Sequence, residues 1–552
     1  MKESAPDSSS SFSSSYPVRL NIASRLAEGA IDAGWGSDVA FHYRGRLITY
    51  GQVRDSAARW AGALEGLGVA PEQRVLLALP DAPAFPAAFL GSVWRGAVAV
   101  PVNPYLTPDR YEFYLRDSRA VVAVVAPWLV EAVLVAAPRL PWLREIVVCA
   151  DPEVPGSESD DGARRAPVSA GGPRVHDGDA LAAQAAPVAA ADCHCDEPAL
   201  WLYTSGSTGS PKGAIHLQHD IWVSADCWGR RTMQMTREHV HLSASKLYFA
   251  YGLGNSLYCP MWTGGSAVLV PEKPTPANMV DAIRVHGVTH FYAVPTFYNA
   301  LLADPGFIGL VSDGALASLQ VCVSAGDMLP APLCERWMET TGVPLLDGIG
   351  STELLHIFIA NRVDDVRPGC SGRPIPGYQA RIVDRSGADL GDDSIGDLWI
   401  RGDSACAGYW NRHADTKRSV RGEWFVTGDK YRRDSDGYYW YTGRSDDMFK
   451  VHGQWVSPTR VEGVLLGHEA VHEVAVVASK DDRGLSCGIA YVVPSMETQG
   501  LADRLRAHAA ERLSGYLVPA RIEFVEELPK TPTGKIQRFL LREREGARLA
   551  TH

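Results

Sequence analysis

Two uninterrupted apolar runs, RVLLALP (74–80) and AVAVPVNP (97–104), stand on either side of the stretch AFPAAFLGSVWRG (84–96). Short runs that are apolar throughout and close on turn residues suit strands buried on both faces. The stretch between them reads as a helix, so the pattern spells strand–helix–strand within one parallel sheet covered by helices. An α/β fold follows, and the rest of the chain must be accommodated around it.

The same alternation continues further on. LWLYTSGSTGSPKG (200–213) is an apolar strand entering a Gly/Ser/Thr loop, and HGVTHFYAVPT (286–296) and SLQVCVSAGD (318–327) are strands that end in polar loops. Residues 372–402 carry period-2 apolar spacing with Gly/Asp turns, which predicts a small antiparallel unit. Beyond about residue 445, VHEVAVVAS, CGIAYVVPS, LADRLRAHAAERL and RIEFVEELP alternate strands and helices again. The expected organisation is a serine-rich disordered tail at 1–16, a large N-terminal α/β domain with a small β unit at 17–444, and a compact C-terminal α+β domain at 445–552. Residues 151–192, polar and then alanine-rich, read as a surface excursion.

Hydrophobic residues make up 46% of the chain and charged residues 21%, the composition of an ordinary globular protein. The net charge of -11 argues against a nucleic-acid partner, which needs a basic face. No apolar run is long enough for a membrane span, and the N-terminus has no signal-peptide core. Cys193 and Cys195 flank His194 without a second pair at zinc spacing, so two thiols in a loop are expected rather than a metal site. The cysteines stand singly elsewhere, which suggests reduced thiols and a cytoplasmic setting.

The loop YTSGSTGSPKG (203–213) carries the chemistry. Its glycines permit positive φ and let successive backbone N–H groups turn toward one anion. Thr204, Ser205, Ser207 and Thr208 add hydroxyl donors, Gly206 and Gly209 leave room, and Lys212 adds a positive charge. The set suits a triphosphate, although Pro211 before the lysine and Gly213 after it break the Walker pattern. The loop resembles the phosphate-binding signature of the acyl-adenylate-forming enzymes: acyl-CoA synthetases, firefly-type luciferases and the adenylation domains of peptide synthetases. Further motifs follow in order, so the resemblance runs from about residue 40 to 545.

What the resemblance implies can be stated residue by residue. In GIGSTELLHIF (348–358), Thr352 contacts the α-phosphate and Glu353 holds Mg²⁺, for which a hard carboxylate oxygen is apt. In TGD (427–429), Asp429, expected at a strand end, accepts the ribose hydroxyls of ATP. In GRSDDMFKVHGQWVSP (443–458), Arg444 contacts the ribose, Asp446 is the hinge about which the small domain turns, and Gly453 opens the path of the coenzyme A arm. In PKTPTGKIQR (529–538), Lys535 is the catalytic ammonium that stabilises the transition state. In SAGD (324–327), Gly326 and Asp327 pack against adenine. Many relatives have glutamate where Asp327 stands, and glutamate where Arg460 stands.

The segment SASKLYFAYGLGNSLYCPMWTGG (243–265) resembles that of benzoate-CoA ligases and other aryl-CoA ligases. Ala250, Tyr251, Gly326, His356 and Ile357 are then the aryl pocket, a flat wall with small residues around it. His356 follows Glu353 by three residues, so a helical turn sets both on one face. The implied reaction consumes ATP, coenzyme A and a small carboxylic acid, most aptly a benzoate-like one, with Mg²⁺ as cofactor. The acid is first joined to AMP, then transferred to the coenzyme A thiol. Rival expectations are a stand-alone adenylating enzyme that loads a separate acyl carrier protein, a divergent member that performs one half-reaction on a bulkier acid, and a non-catalytic nucleotide sensor. Retention of Lys535, Glu353 and Asp429 together speaks against the last. A homodimer is compatible with all of these readings.

Overall fold

The computed structural model describes residues 16–151, 172–205, 210–445, 447–451, 454–481, 484–495, 497–530 and 536–550. The tail at 1–15 and most of the predicted surface excursion, 152–171, lie outside the described residues.

The two apolar runs form Arg74–Ala78 and Val98–Pro101, joined by helix Ala84–Trp94, at the centre of an eight-stranded sheet. Its order is Gly408–Tyr409, Pro211–Leu217, Pro198–Ser205, Val98–Pro101, Arg74–Ala78, Val122–Val125, Glu145–Val148 and Arg174–Asp177. From Pro198–Ser205 to Arg174–Asp177 all neighbours are parallel. Strands such as Val122–Val125 are buried at every residue, as helix-covered parallel strands must be. The edge strand Arg174–Asp177 corrects the reading of 151–192 as an excursion throughout. It is held by polar contacts: buried Glu145 accepts from Arg174 Nε at 3.0 Å and pairs with His176 Nε2 at 2.7 Å. A strand secured by cross-strand charges leaves no apolar pattern to read.

A second, nine-stranded sheet runs Arg373–Pro374, Ile357–Ala360, Leu345–Gly350, Val321–Ala325, His290–Ala293, Val240–Ser243, Ser266–Val268, Val39–Tyr43 and Arg46–Thr49. Its interior is parallel and its edges are antiparallel. One apolar core, which includes Tyr50, Trp94, Trp228, Tyr258 and Tyr292, joins the helices between the two sheets.

The predicted β unit is an antiparallel sheet built on Gln379–Val383, Ile395–Arg401, Trp424–Arg433 and Tyr439–Arg444. Here Asp429 lies inside the strand Trp424–Arg433, not at its end. Gly428 at φ 78° and a register shift between Lys430 and Tyr431 let the strand carry the Thr-Gly-Asp sequence without stopping. Residues beyond 447 form a small sheet of Val471–Lys480, Ser486–Pro494 and Arg521–Phe524. Helices Pro458–Leu466, Leu501–Arg512 and Arg538–Ala550 flank it, over a core of its own that includes Val461, Leu465, Val474, Val492 and Leu505. Among the described residues no helix is long and apolar enough to cross a membrane.

Candidate active site

The hairpin Pro198–Ser205/Pro211–Leu217 brings the phosphate-loop residues to one edge. Thr204 faces Lys212 across it, and Ser205 faces Pro211. Gly206, Ser207, Thr208 and Gly209 lie outside the described residues. Lys212 Nζ stands 3.4 Å from Asp415 Oδ2 and 5.5 Å from the centre of the Tyr409 ring. Burial would raise the Asp415 carboxyl, but Lys212 and Arg418 outweigh it and hold the group below the usual carboxylate range.

Tyr409 links this edge to the second motif, because its hydroxyl donates to Glu353 Oε1 at 2.8 Å. Burial, and then the Glu353 charge, push the Tyr409 phenol far up, so it stays a donor. Glu353 belongs to the 3₁₀ turn Thr352–Leu354, capped by Ser351 Oγ, which accepts from Leu354 N at 3.2 Å. The turn is clamped through four successive carbonyls. Thr352 O accepts from His216 Nε2 at 2.7 Å and Glu353 O from Cys406 N at 2.7 Å. Leu354 O accepts from Ser404 Oγ at 2.8 Å and Leu355 O from Tyr258 OH at 3.4 Å. Leu355 itself sits at φ 66°, an uncommon conformation for leucine that persists only when its surroundings over-determine it.

That residue also corrects the expectation of one helical face for Glu353 and His356. The turn closes at Leu355 and the chain enters strand Ile357–Ala360, so Glu353 stays half-buried while His356 turns inward. Its ring lies 5.7 Å from Trp228, 5.9 Å from Tyr251 and 6.1 Å from Tyr258, centre to centre. The imidazole is 3% exposed, and burial pushes it down to about 3, so it is neutral. Among the described residues neither of its nitrogens makes a hydrogen bond of good geometry, although the Tyr251 backbone lies near enough to favour its protonated form slightly. Of the other predicted pocket residues, Tyr251 lies against this ring. Ala250 opens helix Ala250–Leu253 and Tyr251 OH donates to Val323 O at 2.9 Å. Ile357 is buried at the start of its strand.

Gly326 ends strand Val321–Ala325 at φ 94°, which a side chain would resist. The carboxylate of Asp327 turns back to accept from Met328 N at 2.9 Å. Asp429 and Arg444 are register partners, with an ion pair of 3.1 Å. Between Met328–Pro332 and helix Pro458–Leu466 opens a cleft of about 860 Å³, walled in part by Tyr441 and Met448. Arg460 lies at its rim, exposed in the first turn of the helix, where the macrodipole favours an acid instead. The predicted Lys535, Asp446 and Gly453 lie outside the described residues.

Sequence reasoning missed His216, Tyr409, Trp228 and Asp347. Asp347 is 4% exposed on strand Leu345–Gly350, two residues before the end of the apolar run. Ser371 Oγ donates to its Oδ2 at 3.1 Å, the backbone N–H groups of Gly348 and Leu329 lean toward the carboxyl, and among the described residues Oδ1 makes no hydrogen bond of good geometry. Burial pushes its carboxyl up to about 8. A carboxyl raised on folding stabilises the fold fully below its unfolded value, and that contribution is lost as pH rises through the folded one. The window therefore runs from about pH 4 to about pH 8. Asp347→Asn removes this loss. In melting curves taken from pH 5 to pH 8.5, the variant gains on the parent as pH rises. Parallel curves would refute the buried neutral acid.

Comparison with known proteins bears on this geometry. A family model described as AMP-binding enzyme matches residues 30–410, and one described as AMP-binding enzyme C-terminal domain matches 460–535. The benzoate–CoA ligase of Thauera aromatica is 40% identical over 531 residues, covering 95% of this chain and 96% of that protein. The structure of the anthranilate CoA ligase AuaEII in complex with anthranoyl-AMP superposes with a TM-score of 0.89 at 36% identity, over 97% of this chain and 99% of that one. A benzoate CoA ligase from Burkholderia xenovorans LB400 gives 0.84 at 38% identity, over 95% of this chain and 100% of that one.

Proposed function

The chain belongs to the AMP-binding enzyme family, and from that membership we propose that it joins an aryl carboxylic acid to the thiol of coenzyme A while splitting ATP to AMP and pyrophosphate. It is an AMP-forming acid-thiol ligase, and the benzoate class is the substrate its relatives' names suggest.

The run Thr352–His356 supports this reading most directly. Its first two residues face the phosphate hairpin, Thr352 through His216 and Glu353 through Tyr409, and its last enters an aromatic cluster. An acid bound against Tyr251 and His356 would bring its carboxylate to the nucleotide side of a single clamped turn. Proximity of that kind supplies a large part of the rate in a two-substrate reaction. The acid carboxylate attacks the α-phosphorus, and pyrophosphate leaves. Lys212 and the hydroxyls of Thr204 and Thr352 receive phosphate oxygens, while Asp429 and Arg444 take the ribose. Gly326 and Asp327 border adenine. Glu353, half-buried with a hard oxygen donor, is suited to hold Mg²⁺. The bound ion would neutralise charge on the phosphates.

For the second step we propose that residues 445–552 act as a lid hinged at Asp446. They present Lys535 in the adenylating position and Gly453 beside the arriving thiol in the other. The thiol then attacks the mixed anhydride, and AMP leaves. Nine of the ten cysteines are buried, which supports a reducing, cytoplasmic setting.

The test is a panel of aryl acids with ATP and Mg²⁺, following pyrophosphate and acyl-CoA with and without coenzyme A. Acyl-CoA from benzoate-like acids is expected. Pyrophosphate without acyl-CoA would move the acceptor to a carrier protein, and silence with every aryl acid would sink the aryl reading. In the same assay Lys535→Ala abolishes pyrophosphate release yet spares thioester formation from a supplied acyl-adenylate. Equal loss of both steps would remove the role given to Lys535.

A further inference from the structure

We infer that His216 is a positioning residue that sets the Thr352–Glu353 turn for the nucleotide, and that its grip depends on the buried Asp220; the inference rests on the reading of the site given above. His216 lies on the strand that leaves the phosphate hairpin, four residues past Lys212, and its side chain is fully buried. Nε2 is 2.7 Å from Thr352 O and Nδ1 is 2.7 Å from Asp220 Oδ2. A carbonyl oxygen has no proton to give, so Nε2 must donate. Nδ1 stands against an Asp220 oxygen that also accepts from Leu217 N at 3.2 Å. The ring is thus a two-ended strut between a buried carboxylate and the turn that carries Glu353.

On the far side Asp220 Oδ1 lies 3.1 Å from His219 Nε2, close in distance without the geometry of a hydrogen bond. His219 is fixed by Cys195 O at 2.9 Å and Asp403 O at 3.1 Å, and Tyr16 stacks on its ring at 4.6 Å. The loop that bears Asp403 also supplies Ser404 and Cys406, which hold the next two carbonyls of the turn. The phosphate hairpin and the Glu353 turn come from segments more than a hundred residues apart, and His216 is a direct polar bond between them. Groups that orient a ligand-holding side chain are typically worth about 10- to 100-fold in affinity or activity.

The test uses three variants of the full chain. His216→Gln can keep a donor at the Nε2 position, His216→Asn keeps one at the Nδ1 position only, and His216→Phe keeps ring volume with no donor. Binding of ATP with Mg²⁺, measured by calorimetry, is expected to weaken about tenfold or more in the Asn and Phe variants and to recover largely in Gln. Pyrophosphate release follows the same order. The KM for the aryl acid, and the rate of thioester formation from a supplied acyl-adenylate, stay within about twofold of the parent. Melting midpoints are measured alongside. If Gln and Asn lose ATP affinity alike, or if affinity simply tracks the melting midpoint, His216 is a packing residue and the inference falls. A parent that released no pyrophosphate with any acid would sink the functional reading instead, while the ATP affinities of the series would still decide the role of His216.

Discussion

Replacing Glu353 by glutamine lowers pyrophosphate release by roughly 10²- to 10³-fold, the usual scale for removing one preorganised electrostatic contact to a transition state. The substitution is nearly isosteric, and the amide oxygen can still accept from Tyr409 OH, now at 2.8 Å from Oε1. The Glu353 carbonyl keeps its bond from Cys406 N, because that bond belongs to the backbone. Only the charge is removed, so the melting midpoint should hold. The defect should concentrate in metal dependence: the Mg²⁺ concentration for half-maximal rate rises, and excess Mg²⁺ restores part of the activity. Thioester formation from a supplied acyl-adenylate no longer needs the pyrophosphate leaving group and should fall much less. Parental rates at limiting Mg²⁺ would show that Glu353 holds nothing essential.

Gly254→Ala should cost about 10- to 100-fold in kcat/KM for the aryl acid. An added Cβ would fall well inside contact distance of His356 Cδ2 and Nε2, and 2.8 Å from Tyr258 OH. Neither neighbour can yield cheaply. The imidazole is wedged among Trp228, Tyr251 and Tyr258, and the Tyr258 hydroxyl reaches both Ser224 Oγ at 3.3 Å and Leu355 O. Overpacking of this kind costs about 1–3 kcal/mol. The available movement is of the His356 ring into the acyl space, so the KM for the acid rises while ATP affinity holds. A small acid should suffer less than a bulky one. An unchanged preference across the acid panel would mean that His356 does not border the bound ring.

How much of this was legible in the chain depends on the kind of signal each part leaves. The central parallel strands announced themselves because a strand buried on both faces is apolar at every position, as Val98–Pro101 is. The strand Pro198–Ser205 was legible as an apolar run entering a Gly/Ser/Thr loop, whereas its return as Pro211–Leu217 left no such signal. Arg174–Asp177 was not legible either, because charges at Glu145 hold it to the sheet edge. Nor was the break at Leu355: its positive φ is imposed by carbonyl bonds from His216, Cys406, Ser404 and Tyr258, which only the folded chain brings together. Tyr409 and Asp347 show the same limit. A tyrosine in a Gly-Tyr-Trp stretch and an aspartate in an apolar strand acquire their meaning from the carboxylate one donates to and the water the other loses.

Two of the rings around His356 sit on stretches of π-helix, Trp228 on Ala225–Thr232 and Tyr258 on Gly254–Tyr258, and Asn255 Oδ1 of the second accepts the Trp228 indole N–H at 3.1 Å. A π turn amounts to an α turn with one residue inserted. Loss of a single codon in either stretch would remove that extra residue and tighten the winding, while the helical residues before and after it keep their orientation. The change would fall on the bulge itself, at or beside Trp228 or Asn255. In the pocket proposed above, one short deletion is therefore enough to reshape an aromatic wall while the flanking turns stay in place.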